Sequence, residues 1–173
     1  PGVEDGTLVE LLRDGDALLG YRVAAGRDTV SLNSIVFTPS TNNLEVREIG
    51  DELRFVGQIG DSPLSFQVSY RFFPDDYRIQ ATGGLDGLGD RGYSVLIGLG
   101  RGMALNEANE KGDVSRLALA TREKTGDIVS ERLGRLNEGE SHVVSGGPFS
   151  WAASKSKYWL AALISAETSG GFG

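Results

Sequence analysis

Leu64, Phe66, Val68, Tyr70 and Phe72 stand at every second position, with Ser65, Gln67, Ser69 and Arg71 between them. A strand sends successive side chains to opposite faces, whereas a helix repeats about every 3.6 residues. This run can therefore bury a continuous apolar face only as a strand, half covered and half in water. Phe73-Pro74-Asp75-Asp76 follows with turn chemistry, since proline presets φ and aspartate bonds to nearby backbone. Tyr77, Ile79, Ala81 and Leu85 then predict the returning strand, with a bulge expected at Gly83-Gly84. A hairpin at the centre of the chain commits its neighbours to supplying further strands.

The rest of the sequence supplies them. Short apolar alternations at 9–12, 18–23, 29–32, 44–46, 53–56, 93–99, 115–121, 127–133, 141–145, 149–153 and 158–164 each predict a strand. They are separated by turn residues at the spacing an antiparallel β-sandwich produces. The 25 glycines are spread along all 173 residues, as tight turns require, and with 5 prolines they do not form a collagen pattern. Helical signal is confined to 103–111 (MALNEANEK), with a helical alternative for the run through Ala161 and Ala162. The expected fold is all-β, mainly antiparallel, with little helix, as a single domain over 1–173.

Charge excludes several functions. The net charge is −7 and the 17 basic residues are scattered, so there is no basic stripe for nucleic acid or for an anionic lipid surface. No apolar run approaches the ~20 residues that span a bilayer, and the chain itself is expected to be soluble. The absence of cysteine removes disulfides, thiolate metal sites and cysteine nucleophiles. Beginning at Pro1 without a leader, the sequence is expected to be an internal piece of a longer protein.

Candidate chemistry is sparse. His142 is the only histidine, without the partners a general base or metal ligand needs beside it, and reads as a solvent-facing or partly packed strand residue. Asp75 and Asp76 are adjacent carboxylates, but neighbours in a turn point apart. The run from Gly98 to Gly102 (GLGRG) has its third glycine one position too early for a dinucleotide loop and lacks the Gly-Lys-Ser/Thr of a phosphate loop. No Gly-x-Ser-x-Gly elbow occurs. The stretch 146–165 (GGPFSWAASKSKYWLAALIS) holds both tryptophans and the densest apolar run. Trp151, Trp159 and Tyr93 are the candidates for a groove or partner surface, against a reading of the tryptophans as core packing. No catalytic residue, metal or cofactor is expected, and the chain is read as a non-enzymatic binding or scaffold domain.

Two segments carry a family resemblance. Ser69-Tyr70-Arg71-Phe72-Phe73-Pro74-Asp75-Asp76-Tyr77-Arg78-Ile79 resembles the strand, Pro-Asp-x-Tyr, strand hairpin in the large periplasmic domain of YidC-type (YidC/Oxa/Alb) membrane protein insertases. Trp151-Ala152-Ala153, then Ser156-Lys157-Tyr158-Trp159 and residues 160–164, is similar to that family's tryptophan, small apolar, Lys-Tyr-Phe and Ala/Leu-rich strand, with Trp159 where phenylalanine is usual. The similarity runs thinly from about 8 to 164, without the family's outermost strands. It implies a β-supersandwich of the galactose-mutarotase-like kind, on the periplasmic face of the bacterial inner membrane. It also implies an accessory role through contacts with Sec translocon subunits and nascent membrane proteins, since insertion belongs to the family's membrane helices. Strand edges left open by the missing strands are expected to favour self-association.

Two other classes compete. Sugar epimerases share the supersandwich but resemble one another in using several histidines, which argues against a carbohydrate-binding or mutarotase-like role here. A generic β-sandwich adhesion module needs only the fold.

Overall fold

The computed structural model describes residues 12, 15–47, 50–74, 76–100, 104, 112, 114–137, 139–166 and 170–173. They form antiparallel β-sheet, with 3-10 turns at Leu32–Ser34 and Leu133–Arg135, so the all-β expectation holds. The contacts divide into two compact units, Gly20–Gly98 and Pro1–Leu19 with Leu99–Gly173.

Gly20–Gly98 is a small sandwich of two sheets. One has the order β2-β1-β7, with β1 at Gly20–Ala25, β2 at Asp28–Ser31 and β7 at Ser94–Gly98. The other has the order β3-β4-β5-β6, with β3 at Phe37–Pro39, β4 at Glu52–Gln58, β5 at Ser65–Phe72 and β6 at Ile79–Asp86. The alternating run that predicted β5 places Phe66 and Val68 in the core, 1% and 5% exposed. They meet Val23 of β1, Leu32, Leu85 and Leu88, with Tyr21, Phe55, Tyr70 and Val95 packed around them. The opposite face of the same sheet is polar. Arg54 of β4 donates to the Gln67 side chain on β5, Gln67 Nε2 donates to Asp86 Oδ2 on β6 at 2.7 Å, and Arg71 pairs with Glu52 at 3.4 Å.

Several expectations are corrected here. β6 runs through Gly83 and Gly84 without a bulge, Val68 pairing with Gly83 and Gln67 with Gly84. A side chain at Gly83 would bring its Cβ within 2.6 Å of the Gln67 carbonyl oxygen, so this glycine marks close backbone approach. Tyr77 lies in the turn, fully exposed, and the strand begins only at Ile79. β3 was not among the expected strands; it contains Pro39 and sits at the sheet edge, where a missing N–H is tolerated. Residues 44–46 and 141–145 are not strands. Val143, 80% exposed, has no strand beside it to bury one face.

The other unit holds a four-stranded sheet of order β11-β10-β8-β9: β8 at Ala118–Glu123, β9 at Ile128–Arg132, β10 at Phe149–Lys155 and β11 at Leu160–Ile164. Its buried residues are small: Ala118, Ala120, Thr121 and Ala153, with Phe149 at one end. The run through Ala161 and Ala162 is a strand, since pairing with β10 from Trp151↔Ile164 to Lys155↔Leu160 overrides the helix propensity of alanine. Of the expected helix at 103–111 only Ala104 is described, outside regular structure, and of the expected strand at 9–12 only Leu12.

Candidate functional site

Within Gly20–Gly98 the sequence builds an open cleft of about 650 Å³, lined by Val30, Ser34, Ile35, Val36, Gln58, Ile59, Gly60 and Asp61. Its wall begins at the turn after β2. Ser31 Oγ accepts from Asn33 N at 3.5 Å, and the Ile35 N–H closes onto Leu32 O at 3.2 Å. That 3-10 turn drops Leu32 into the core, 3% exposed, and lifts Val36 into solvent at 86%. The facing wall is the β4–β5 turn, held by Ile59 N donating to Leu64 O at 2.8 Å and by Ser62 Oγ donating to Ile59 O at 2.5 Å. The cleft is of mixed polarity, with aliphatic side chains beside Ser34, Gln58 and one carboxylate, Asp61. It offers contact area, and no second titratable group stands in it to move a proton.

The residues singled out in the sequence fall elsewhere. The Tyr93 hydroxyl accepts from Leu85 N at 3.1 Å, capping the outer side of edge strand β6, while the ring is 41% exposed. Trp151 sits on β10 opposite Ile164 of β11 and Arg122 of β8. Trp159 lies in the β10–β11 turn, where its N–H donates to Ser156 Oγ at 3.2 Å. Trp159 and Tyr158 are 41% and 56% exposed and are not core, whereas Trp151 is half-buried within β10. No aromatic pair among the described residues includes either tryptophan, so they do not form a joint stacking platform. Tyr93 belongs to Gly20–Gly98 and the tryptophans to the other unit.

His142 is exposed in the segment before β10, and no cluster of three metal-ligating side chains occurs among the described residues. Asp75 lies outside the described residues. Asp76 Oδ1 accepts from Arg78 N at 2.9 Å and its Oδ2 from Arg78 Nε at 2.6 Å. Those two bonds, the backbone one foremost, hold its carboxyl below the usual range, as expected of a turn aspartate. Of the glycine-rich run, Gly98 ends β7 and Gly100 lies in the turn after it, while Arg101 and Gly102 are outside the described residues. Among the described residues no helix is long and apolar enough to cross a membrane.

No motif announces one polar pair, the hydroxyls of Tyr21 and Tyr70, which meet at 2.9 Å between the two sheets. Tyr70 is legible in sequence only as part of the apolar face of the alternating run, and Tyr21 only as a member of the candidate strand at 18–23. Burial first, and the Tyr70 hydroxyl second, push the Tyr21 phenol well above its ordinary range. An unfolded tyrosine ionises near about pH 10, whereas the folded one keeps its proton to higher pH. The stability this provides is complete below about pH 10 and is lost as pH rises toward the folded value. Denaturant midpoints are therefore expected to fall through the alkaline range, with a shallower fall in Tyr21→Phe; equal slopes would contradict the assignment.

Compared with protein-family models, curated proteins and solved structures, the chain matches none.

Proposed function

We propose that this chain is an accessory, non-enzymatic domain of a YidC-type membrane protein insertase, on the periplasmic face of a bacterial inner membrane. It works by contact with Sec translocon subunits and with nascent membrane proteins. The observation that carries this reading is where the two resembling segments lie. Ser69–Ile79 spans the end of β5, its turn and the start of β6, with Phe72 paired to Ile79. The segment from Trp151 to Ile164 spans β10, its turn and β11, its two ends paired to each other. That each segment joins two paired strands supports the reading. The supersandwich of the mutarotase-like kind belongs to the same proposal.

Val36, exposed and lining the cleft, is a suitable probe of contact. A photo-crosslinking residue there, in the full-length parent within inner-membrane vesicles, is expected to yield adducts with translocon subunits or an inserting substrate. A parent gene encoding no membrane helix upstream and none downstream would defeat the reading, as would vesicles in which neither Val36 nor Trp159 gives any adduct.

A further inference from the structure

β11 ends its sheet, and its pairing with β10 fixes which of its backbone groups point outward. The Trp159 carbonyl accepts from Ser156 N at 2.9 Å, and Ser165 N donates to Ser150 O at 2.9 Å. Inward- and outward-directed residues alternate along an antiparallel strand. Positions 159, 161, 163 and 165 therefore face β10, and the N–H and C=O groups of Leu160, Ala162 and Ile164 face away from it. Among the described residues no strand pairs with that side. The side chains of the same residues are open as well, Leu160 at 64% and Ile164 at 72% exposure.

Other sheet edges carry features that discourage pairing. β2 has Asp28, β3 has Pro39, β9 has Glu131 and Arg132, and on β6 the Tyr93 hydroxyl occupies the Leu85 N–H. β7 offers Leu96 between Ser94 and Gly98 at alternate positions. β11 has no charge, proline or glycine from Leu160 to Ile164.

Its sequence, Leu-Ala-Ala-Leu-Ile, is also nearly self-complementary. An antiparallel second copy centred on Ala162 sets Leu160 opposite Ile164, and Ala162 opposite its counterpart. These are the outward-facing residues, so each opposed pair exchanges two N–H···O=C bonds, and large aliphatic side chains meet across the strands.

We infer that the free edge of β11 is a homotypic docking strand, pairing antiparallel with β11 of a second copy about a two-fold axis at Ala162 and joining the two sheets into one. The inference stands apart from the insertase reading. A single short strand pair is smaller than a standard interface of about 800 Å² per partner, so the association is weak, with a Kd of about 0.01–1 mM.

Sedimentation equilibrium of the 173-residue chain tests it. The mass is expected to climb from 18.4 kDa toward twice that as concentration rises to about 1 mM. Ala162→Pro removes an outward N–H without touching the bonds to β10, and Ala162→Lys places a charge on the edge. Both are expected to stay monomeric with unchanged circular dichroism. In the proposed register the two Ala162 Cα atoms stand about 5.5 Å apart, within disulfide reach. In a chain without native cysteine, Ala162→Cys is expected to oxidise to a covalent dimer and Ala161→Cys is not. A wild-type chain that remains monomeric to about 1 mM overturns the proposal. So do folded Pro and Lys variants that associate like wild type, or cysteine variants that crosslink equally. If the proline variant misfolds, the cysteine pair decides.

Discussion

Phe66→Ala is expected to cost the Gly20–Gly98 unit about 3–5 kcal/mol, the usual loss for truncating a buried phenylalanine. Phe66 is 1% exposed, the largest fully buried side chain among the described residues. Its ring packs against Tyr21 with centroids 5.7 Å apart, so it contacts β1 from its place on β5. Removing it opens a void where both sheets of the sandwich meet, and the pleated backbones can close that void only by giving up strand pairing. Hydrogen exchange is the appropriate measurement, because it reads the stability of each strand separately. Amides of β1, β4 and β5 should lose protection by a common large factor. A loss confined to the ends of these strands, or below about 1 kcal/mol, would mean that Phe66 does not organise this core.

Gly87→Ala is expected to be nearly as damaging, for a different reason. Gly87 has φ +89°, and a Cβ there would fall 2.5 Å from the Pro63 carbonyl oxygen. The backbone conformation alone costs about 1–3 kcal/mol for a residue with a side chain, and the collision adds to it because the opposing atom is main chain. Gly89 is the internal control: its φ is +65°, but nothing lies within 4 Å of the added carbon. Gly89→Ala should therefore show the conformational cost alone. Chemical denaturation of the two variants side by side separates strain from collision, and equal losses would remove the collision from the account.

The contrast between these positions shows how far the sequence could be read. β5 was legible because burial on one face leaves a strict two-residue period, and Phe66 announces itself. Gly83 and Gly87 look alike in sequence, yet one lies within a continuous strand and the other in a left-handed turn. What separates them is the carbonyl each approaches, which depends on a neighbouring strand. β3 is only three residues long, too short to show a period, and Pro39 is tolerated there because the strand lies at an edge. Residues 44–46 and 141–145 showed apolar alternation, but a strand also needs a partner. The cleft was not legible either. Ile35-Val36 reads as core, and only the turn capped by Ser31 turns Val36 outward; the Ser31-x-Asn33-Ser34 pattern was the available signal. Tyr93, Trp151 and Trp159 were recognisable as aromatics of interest, but which of them the fold leaves open to solvent was decided by pairing across β6 and β10.

The division into two compact units also segregates the chromophores. Both tryptophans lie in the part that contains Leu99–Gly173, whereas Tyr21, Tyr70, Tyr77 and Tyr93 lie in Gly20–Gly98. Light absorbed at the red edge of the indole band therefore reports only on the sheet of β8 to β11, and phenolate absorbance on alkaline titration reports mainly on the sandwich. The native chain thus carries a separate optical label on each unit, and their melting can be followed independently without attaching a dye.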